Sequence, residues 1–213
     1  MNVQKIIGVL LATLLITGIT QANPAKAAKT KETSKTNDET TLKKVEGQVK
    51  WTGYGIGKSH TGTIDIKSGE IKLKNNEVTA AEFVLDMTTL NTPDSEKLKT
   101  HLKSADFFEV EKYNESVFKT TKVEAIKNSE IKSDVKNYTL TGDLIIKGKS
   151  QPITFLAAVT QDGKKFSTTA NTEISDRTKY GIVYNSKQFE TASKLGNKLI
   201  EDNIKIEIQA KAQ

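Results

Sequence analysis

The chain has 213 residues, of which 36% are hydrophobic and 27% charged, and this length fits one globular domain plus a short additional segment. It contains no cysteine, which excludes a disulfide framework, a thiolate zinc site, an iron–sulfur cluster and a cysteine nucleophile. The net charge of +6 comes from lysines scattered among glutamates, with a single arginine at Arg177, and this pattern indicates a solvated surface rather than a nucleic-acid partner.

The first 27 residues have the pattern of a secretory signal peptide. Lys5 precedes an uncharged apolar run over residues 6–19, and Ala25-Lys26-Ala27 offers the small residues that a signal peptidase requires. As a helix, this run is too short for a hydrocarbon core of about 30 Å, so no stable membrane span is expected in the mature chain. We therefore expect cleavage after Ala27 and a secreted protein, either periplasmic or extracellular.

Residues 28–41 contain neither an aromatic nor a large aliphatic side chain. Such a segment cannot bury enough apolar surface to order itself, so it is predicted to be a flexible linker. The folded domain is then expected over residues 42–213.

From Leu42 onward, apolar and polar residues alternate along several segments, as in strands with one buried and one exposed face. The segments are Ile64/Ile66, Ile71/Leu73, Phe83/Leu85/Met87, Tyr138/Leu140/Leu144/Ile146, Ile153/Phe155/Ala157/Val159, Phe166/Thr168/Ala170/Ile174 and Ile204/Ile206/Ile208/Ala210. Tight turns are predicted at Ser68-Gly69, Asn75-Asn76, Gly148-Lys149 and Asp162-Gly163. Short turns make consecutive strands antiparallel neighbours.

Two stretches interrupt this alternation. Thr92-Pro93-Asp94 predicts the start of a helix that continues to about Ser104, with Leu98 and Leu102 on its apolar side, and residues 186–198 form a second helical candidate. The sequence therefore predicts an all-β fold with one or two short helices, arranged as a closed or nearly closed antiparallel barrel, because closure removes exposed strand edges. The interior of a barrel of about eight strands is either filled by its own side chains or holds one ligand, and composition leaves both readings open.

Motifs for catalysis, metals and cofactors are missing. Residues 53–59 (GYGIGKS) fit neither the phosphate-loop nor the dinucleotide pattern, and a strand pattern follows where a helix would be needed. His60 and His101 lie far apart, and no serine lies in a G-x-S-x-G motif. We therefore predict no catalytic residue, no metal and no cofactor; a hydrolase site near His60 and Arg177 is a less favoured alternative. The Asp176-Arg177 pair is either a surface ion pair or a polar contact at a cavity mouth.

Five segments follow one another in a distinctive order. They are W-x-G at Trp51 with GKSHTGTI over 57–64 and GEI over 69–71, HLKSADFFEV over 101–110, LTGDLIIKG over 140–148 with Pro152-Ile153, D-R-x-x-Y-G-I over 176–182, and IKIEI over 204–208. Together they resemble the YceI-like family of secreted bacterial proteins over about residues 45–212. Asn114 departs from the proline that this family often has after the tyrosine.

The resemblance implies a lipocalin-like antiparallel β-barrel of about eight strands that holds an isoprenoid or quinone-type lipid in an internal apolar channel, without catalysis. Burial of each CH₂ group contributes roughly 0.8 kcal/mol, so an apolar channel can hold such a lipid without a reactive group. The family also suggests pairing as a homodimer. A structural or stress-related envelope protein with a filled barrel is the alternative.

Strand parity then selects the candidate ligand-binding residues. Those predicted along the channel are Trp51, Phe83, Leu85, Phe118, Leu140, Phe155 and Phe166. His60, Arg177 and Tyr180 are predicted to make polar contacts near the lipid head group. Phe107 and Phe108 are adjacent, so at most one of them is expected to point inward.

Overall fold

The computed structural model describes residues 40–127 and 135–212. The predicted signal peptide over residues 1–27 and nearly all of the predicted linker over residues 28–41 lie outside these ranges. The first strand begins at Thr40, just before the predicted start of the domain at Leu42.

Strands make up most of the described chain. They are β1 (Thr40–Gly55), β2 (Lys58–Lys74), β3 (Glu77–Asn91), β4 (Glu115–Ile126), β5 (Val135–Ile146), β6 (Lys149–Asp162), β7 (Lys165–Ile174) and β8 (Ile200–Ala212). Each strand pairs antiparallel with the next, and β8 also pairs antiparallel with β1, for example Trp51 with Ile206. The result is a closed eight-stranded up-and-down barrel, which confirms the predicted fold class.

Helical residues lie in two connections between strands. Helix α1 (Glu96–Lys103) precedes β4, and a 3₁₀ turn (Arg177–Tyr180), helix α2 (Ala192–Leu195) and a second 3₁₀ turn (Gly196–Lys198) lie between β7 and β8. The predicted first helix is confirmed, but Ser95 rather than the Thr92-Pro93-Asp94 segment caps it: the Leu98 N–H donates to Ser95 Oγ at 3.1 Å. No helix in the described ranges has the length and apolar character needed to cross a membrane.

Most of the predicted turns occur in the structure. Asn75 and Asn76 link β2 to β3 with φ of 51° and 64°, and Lys147-Gly148 links β5 to β6, one residue earlier than predicted. The turn predicted at Ser68-Gly69 is wrong, because both residues lie inside β2, opposite Val84 and Phe83. Gly69 provides space rather than a turn there.

The barrel has two different ends. We call the end that carries the long β3–β4 and β7–β8 connections the helical end, and the other the opposite end. A cluster of buried side chains fills the half near the opposite end: Val45, Ile71, Leu73, Val78, Ala81, Phe118, Tyr138, Leu140, Phe155, Ala157, Val159, Phe166, Ala170, Ala210 and Ala212. A second cluster, with Met87, Leu90, Phe107, Tyr180 and Ile182 among its members, lies under the connections of the helical end.

Three aromatic rings inside the barrel lie against glycines of the neighbouring strands. The pairs are Trp51 with Gly62, Phe83 with Gly69, and Phe118 with Gly142. A Cβ atom at Gly69 would lie 2.7 Å from the Phe83 ring, and one at Gly142 would lie 2.8 Å from the Phe118 ring. The absence of a side chain at these glycines therefore lets large rings lie close to the barrel wall.

Substitution of Gly62 tests this close packing. A methyl group at Gly62 would overlap the Asn91 carbonyl oxygen and the Trp51 ring. We expect Gly62→Ala to lower the free energy of unfolding by about 1–3 kcal/mol through overpacking. Urea denaturation followed by the fluorescence of Trp51, the sole tryptophan of the sequence, measures this loss.

Gly53→Ala is the matched control, because a Cβ atom at Gly53 meets nothing within 4 Å and the backbone φ there is not positive. We expect it to leave stability unchanged or to raise it by up to about 1 kcal/mol. Equal denaturation midpoints for the two variants would contradict the proposed role of Gly62.

Candidate functional site

A cavity of about 390 Å³ lies inside the barrel toward the helical end. All eight strands contribute to its lining, with side chains at alternate positions such as Ile64 and Ile66 on β2. The two long connections add apolar side chains that cover the helical end: Leu98, Leu102, Phe107, Phe108, Ile182 and Tyr184. The volume lies within the range of roughly 300–1,000 Å³ that is usual for small-molecule sites.

The half near the opposite end is almost completely filled. A second cavity there has a volume of only about 20 Å³, and Tyr138, Leu140 and Ala170 are among its lining residues. The Tyr138 hydroxyl accepts a hydrogen bond from the Val78 N–H at 3.3 Å, which fixes the largest side chain of this half. The interior is therefore a pocket with one closed end.

The cavity reaches solvent between the β1–β2 hairpin and the β7–β8 connection. Among the described lining residues, Lys58, Asn197 and Lys198 are exposed, and all three lie in this region. Gly55 pairs with Ile200, whose N–H donates to the Asn185 carbonyl at 3.0 Å, so the hairpin and the connection are adjacent. We call this region the opening.

Arg177 is buried and makes four hydrogen bonds to main-chain carbonyl oxygens. Its Nη1 donates to Ile182 at 2.7 Å, its Nη2 to Tyr184 at 2.9 Å and to Ile200 at 3.1 Å, and its Nε to Glu201 at 3.1 Å. The guanidinium therefore joins the β7–β8 connection to the start of β8. The prediction of a surface ion pair between Asp176 and Arg177 is wrong, because only 2% of the Arg177 side chain is exposed.

Asp202 gives this guanidinium a buried counter-charge. Its Oδ1 lies 3.4 Å from Arg177 Nη2, and its Oδ2 accepts from the Ser186 hydroxyl at 3.0 Å and from Gln188 Nε2 at 2.9 Å. Burial lowers the pKa of Arg177, and the nearby carboxylates of Asp202 and Asp176 oppose that change. The network holds the connection that covers the cavity in one conformation.

Both histidines line the cavity and contact carboxylates. His60 Nδ1 lies 2.7 Å from Asp94 Oδ2 beside the opening, and His101 Nε2 lies 2.9 Å from Asp106 Oδ2. The His101 ring also packs edge-on against Phe107. Within residues 40–127 and 135–212, no group of three or more histidine or acidic side chains could hold a metal ion.

Seven of the ten predicted ligand-binding residues line the cavity, and their contact with a ligand stays a prediction. They are Trp51, Phe83, Leu85, Phe118, Phe155, His60 and Arg177. Leu140 and Phe166 point inward but belong to the filled half, and Tyr180 is buried in the cluster of the helical end without lining the cavity. Parity correctly places the strand residues inside, but it carries no information about their depth along the barrel.

Several lining residues were missed by the sequence analysis. Phe107 and Phe108 both line the cavity, although at most one was expected to point inward. Leu98 and Leu102 form the apolar side of α1, so the spacing of this helix was a usable signal for them. Ile182 and Tyr184 lie in an irregular connection, where no periodic pattern indicates which side chains are buried.

Comparison with known proteins gives a family match over most of the chain. A model of the YceI-like domain matches residues 38–212. A UPF0312 protein of Vibrio parahaemolyticus is 34% identical over 112 residues, which are 52% of this chain and 53% of the relative. Protein YceI of Escherichia coli O157:H7 is 30% identical over 110 residues, which are 52% and 50% of the two chains. The chain therefore matches about half the length of each of these curated relatives.

Two solved structures have a similar fold. BcnA of Burkholderia cenocepacia superposes with a TM-score of 0.60 at 17% identity, covering 79% of this chain and 96% of its own. A polyisoprenoid binding domain from Saccharophagus degradans superposes with a TM-score of 0.57 at 10% identity, covering 81% and 99%. At these identities the comparisons support the barrel architecture alone.

Loss of the Arg177 guanidinium should destabilise the protein. In Arg177→Met, the Asp202 carboxylate would remain buried without its counter-charge, so we expect the free energy of unfolding to fall by about 3–5 kcal/mol. The double variant Arg177→Met/Asp202→Leu removes the unpaired charge and should be more stable than the single variant. Urea denaturation measures both, and a single variant as stable as the wild type would exclude a stabilising role for the Arg177–Asp202 network.

Tyr180 should make stability sensitive to alkaline pH. Burial raises the pKa of Tyr180 to about 12, whereas a tyrosine in the unfolded chain ionises near pH 10. The stabilisation from the neutral buried phenol is therefore complete below pH 10 and is lost between about pH 10 and 12. Urea midpoints at about pH 9 and about pH 11 should differ more for the wild type than for Tyr180→Phe. Equal losses in both proteins would contradict this assignment.

Proposed function

The chain belongs to the YceI-like family, and we propose that it is a non-catalytic binding protein that holds an isoprenoid-type lipid in the cavity of its barrel. The observation that carries this proposal is the cavity of about 390 Å³, which is lined by side chains from all eight strands. Its lining is mainly aliphatic and aromatic. A ligand that fills it must therefore be apolar and slender enough to enter through the opening.

Apolar burial supplies the binding energy for such a ligand. Each CH₂ group transferred from water contributes roughly 0.8 kcal/mol, so several isoprene units suffice without a strong polar contact. The barrel from Saccharophagus degradans, which is similar in fold, is described as a polyisoprenoid binding domain. This description supports the same class of lipid for the present chain, either a polyprenyl chain or a quinone with an isoprenoid tail.

The predicted signal peptide supports a location outside the cytoplasm, in the periplasm or in the extracellular space. An envelope location also suits a lipid-binding protein, because its ligand would come from a nearby membrane. The homodimer suggested by the family resemblance stays a prediction.

Two alternatives come from other classes of protein. A structural envelope protein would have a filled barrel, and the cavity does not favour that reading. A hydrolase near His60 and Arg177 would need a free guanidinium and a nucleophile beside the histidine. Arg177 instead donates to main-chain carbonyls, and within residues 40–127 and 135–212 the His60 ring contacts the Asp94 carboxylate rather than a hydroxyl.

Organic extraction of the protein purified from its own host, followed by mass spectrometry, tests the proposal. Wild-type protein should yield an isoprenoid lipid. Gly53→Leu should carry several-fold less, because the added side chain projects into open space in the cavity lining.

Thr52→Leu is the matched control, because it adds a leucine to the same strand on the outer face. Its lipid content should equal that of the wild type. An extract without lipid from the wild type, or equal lipid in Gly53→Leu and the wild type, would refute lipid binding in this cavity.

A further inference from the structure

Large apolar side chains are exposed in the two segments that border the opening. Ile56, at the tip of the β1–β2 hairpin, is 56% exposed, and Phe189 and Val183, in the β7–β8 connection, are 61% and 37% exposed. Exposed phenylalanine and isoleucine side chains at one end of a domain are unfavourable in water and are typical of surfaces that contact a partner or a membrane.

These side chains lie in the two segments that border the opening. Ile56 follows Gly55, which lines the cavity and pairs with Ile200. Val183 lies between Ile182 and Tyr184, both of which line the cavity. Phe189 follows in the same connection, and its N–H donates to the Ser186 carbonyl at 3.1 Å. We call Ile56, Val183 and Phe189, together with Lys58 and Lys198, the rim.

The unpaired lysines of the rim favour an anionic partner. Lys58 and Lys198 are exposed at the opening, and within the described ranges neither forms an ion pair. By contrast, Lys194 in the same connection lies 3.0 Å from Glu190. A region that combines exposed apolar side chains with unpaired lysines is complementary to an anionic bilayer, where the apolar groups enter the interface and the lysines contact lipid phosphates.

We propose that the rim docks the opening of the barrel onto the surface of an anionic lipid bilayer. This inference rests on the proposed function, since docking would let an apolar lipid pass between the bilayer and the cavity without crossing water. The bilayer supplies both the anionic phosphates for Lys58 and Lys198 and the apolar phase for Ile56 and Phe189. The opposite end of the barrel then points away from the membrane, and the barrel wall does not contact it.

The test uses the absence of cysteine from the sequence. A single cysteine at Phe189→Cys or at Leu156→Cys can carry the environment-sensitive fluorophore NBD at one known position in the full chain. Phe189 and Leu156 are matched, because each is 61% exposed, but Leu156 lies on β6 in the barrel wall. Vesicles of phosphatidylglycerol and of phosphatidylcholine are then added to each labelled protein.

With phosphatidylglycerol vesicles, the fluorophore at residue 189 should shift to shorter wavelength and brighten several-fold. The fluorophore at residue 156 should not change, and the effect at residue 189 should weaken in about 1 M salt. An equal response at the two positions, or no response at residue 189, would overturn the docking proposal.

The lysines are tested in the same assay with the label at residue 189. Because one lysine near an anionic surface contributes about fivefold in affinity, Lys58→Ala/Lys198→Ala should bind phosphatidylglycerol vesicles about 25-fold more weakly. Lys44→Ala/Lys72→Ala makes the same charge change on exposed wall lysines and should have little effect. Equal weakening by both pairs would overturn the role of the rim.

The vesicle assay does not require a lipid in the cavity, and the extraction experiment measures lipid in the cavity without using vesicles. The two proposals therefore fail separately. Protein that carries lipid but does not dock through residue 189 overturns this inference and leaves the proposed function intact.

Discussion

The contact between aromatic rings and glycines of neighbouring strands is the packing constraint on which the cavity depends. A barrel of about eight strands is narrow enough for inward side chains to meet at its axis and fill it. Here the rings of Trp51, Phe83 and Phe118 lie against glycines of the neighbouring strands. Part of each ring therefore occupies the space that a side chain at the glycine position would fill. The Phe83 and Phe118 rings are nearly parallel, with an interplanar angle of 11°, and they line the cavity. Large apolar side chains therefore enclose open space instead of filling it.

The two ends of the barrel are closed by different means. Near the opposite end, alanines and branched side chains alternate with Tyr138 and Phe166 and leave almost no empty volume. At the helical end, two irregular connections cover the cavity, and irregular segments need contacts that periodic packing does not provide. Arg177 supplies such contacts with four hydrogen bonds to main-chain carbonyl oxygens, while Asp202 balances its charge. A buried charge beside an apolar cavity thus serves the fold.

The sequence predicts the fold class and the inward faces of the strands, because alternation along one strand is a local property. Depth within the barrel is not local, since it depends on the register between strands. For this reason Leu140 and Phe166 were correctly placed inside but belong to the filled half, whereas Leu144 lines the cavity. The error at Ser68-Gly69 has a related origin. A glycine in a sequence can indicate either a turn or a position where an aromatic ring needs space. At Gly69 only the cross-strand partner Phe83 distinguishes the two roles. Arg177 could not be assigned either, because two of its four acceptors, on Ile200 and Glu201, lie 23 and 24 residues away in sequence. The other two lie in an irregular connection without a periodic pattern.

The character of the cavity also determines how a lipid could leave it. A ligand held by apolar burial loses roughly 0.8 kcal/mol of stabilisation for each CH₂ group that enters water, so the barrier to release into solution grows with chain length. Polar groups outside the cavity cannot lower this barrier, because they offer no apolar contacts to replace those that the ligand loses. Only an apolar phase at the opening can accept the chain as it emerges. The closed opposite end leaves one route for this exchange, through the region between the β1–β2 hairpin and the β7–β8 connection. For a lipid held as proposed, the side chains around that region would govern the rate of exchange, and the side chains deeper in the barrel would govern the affinity.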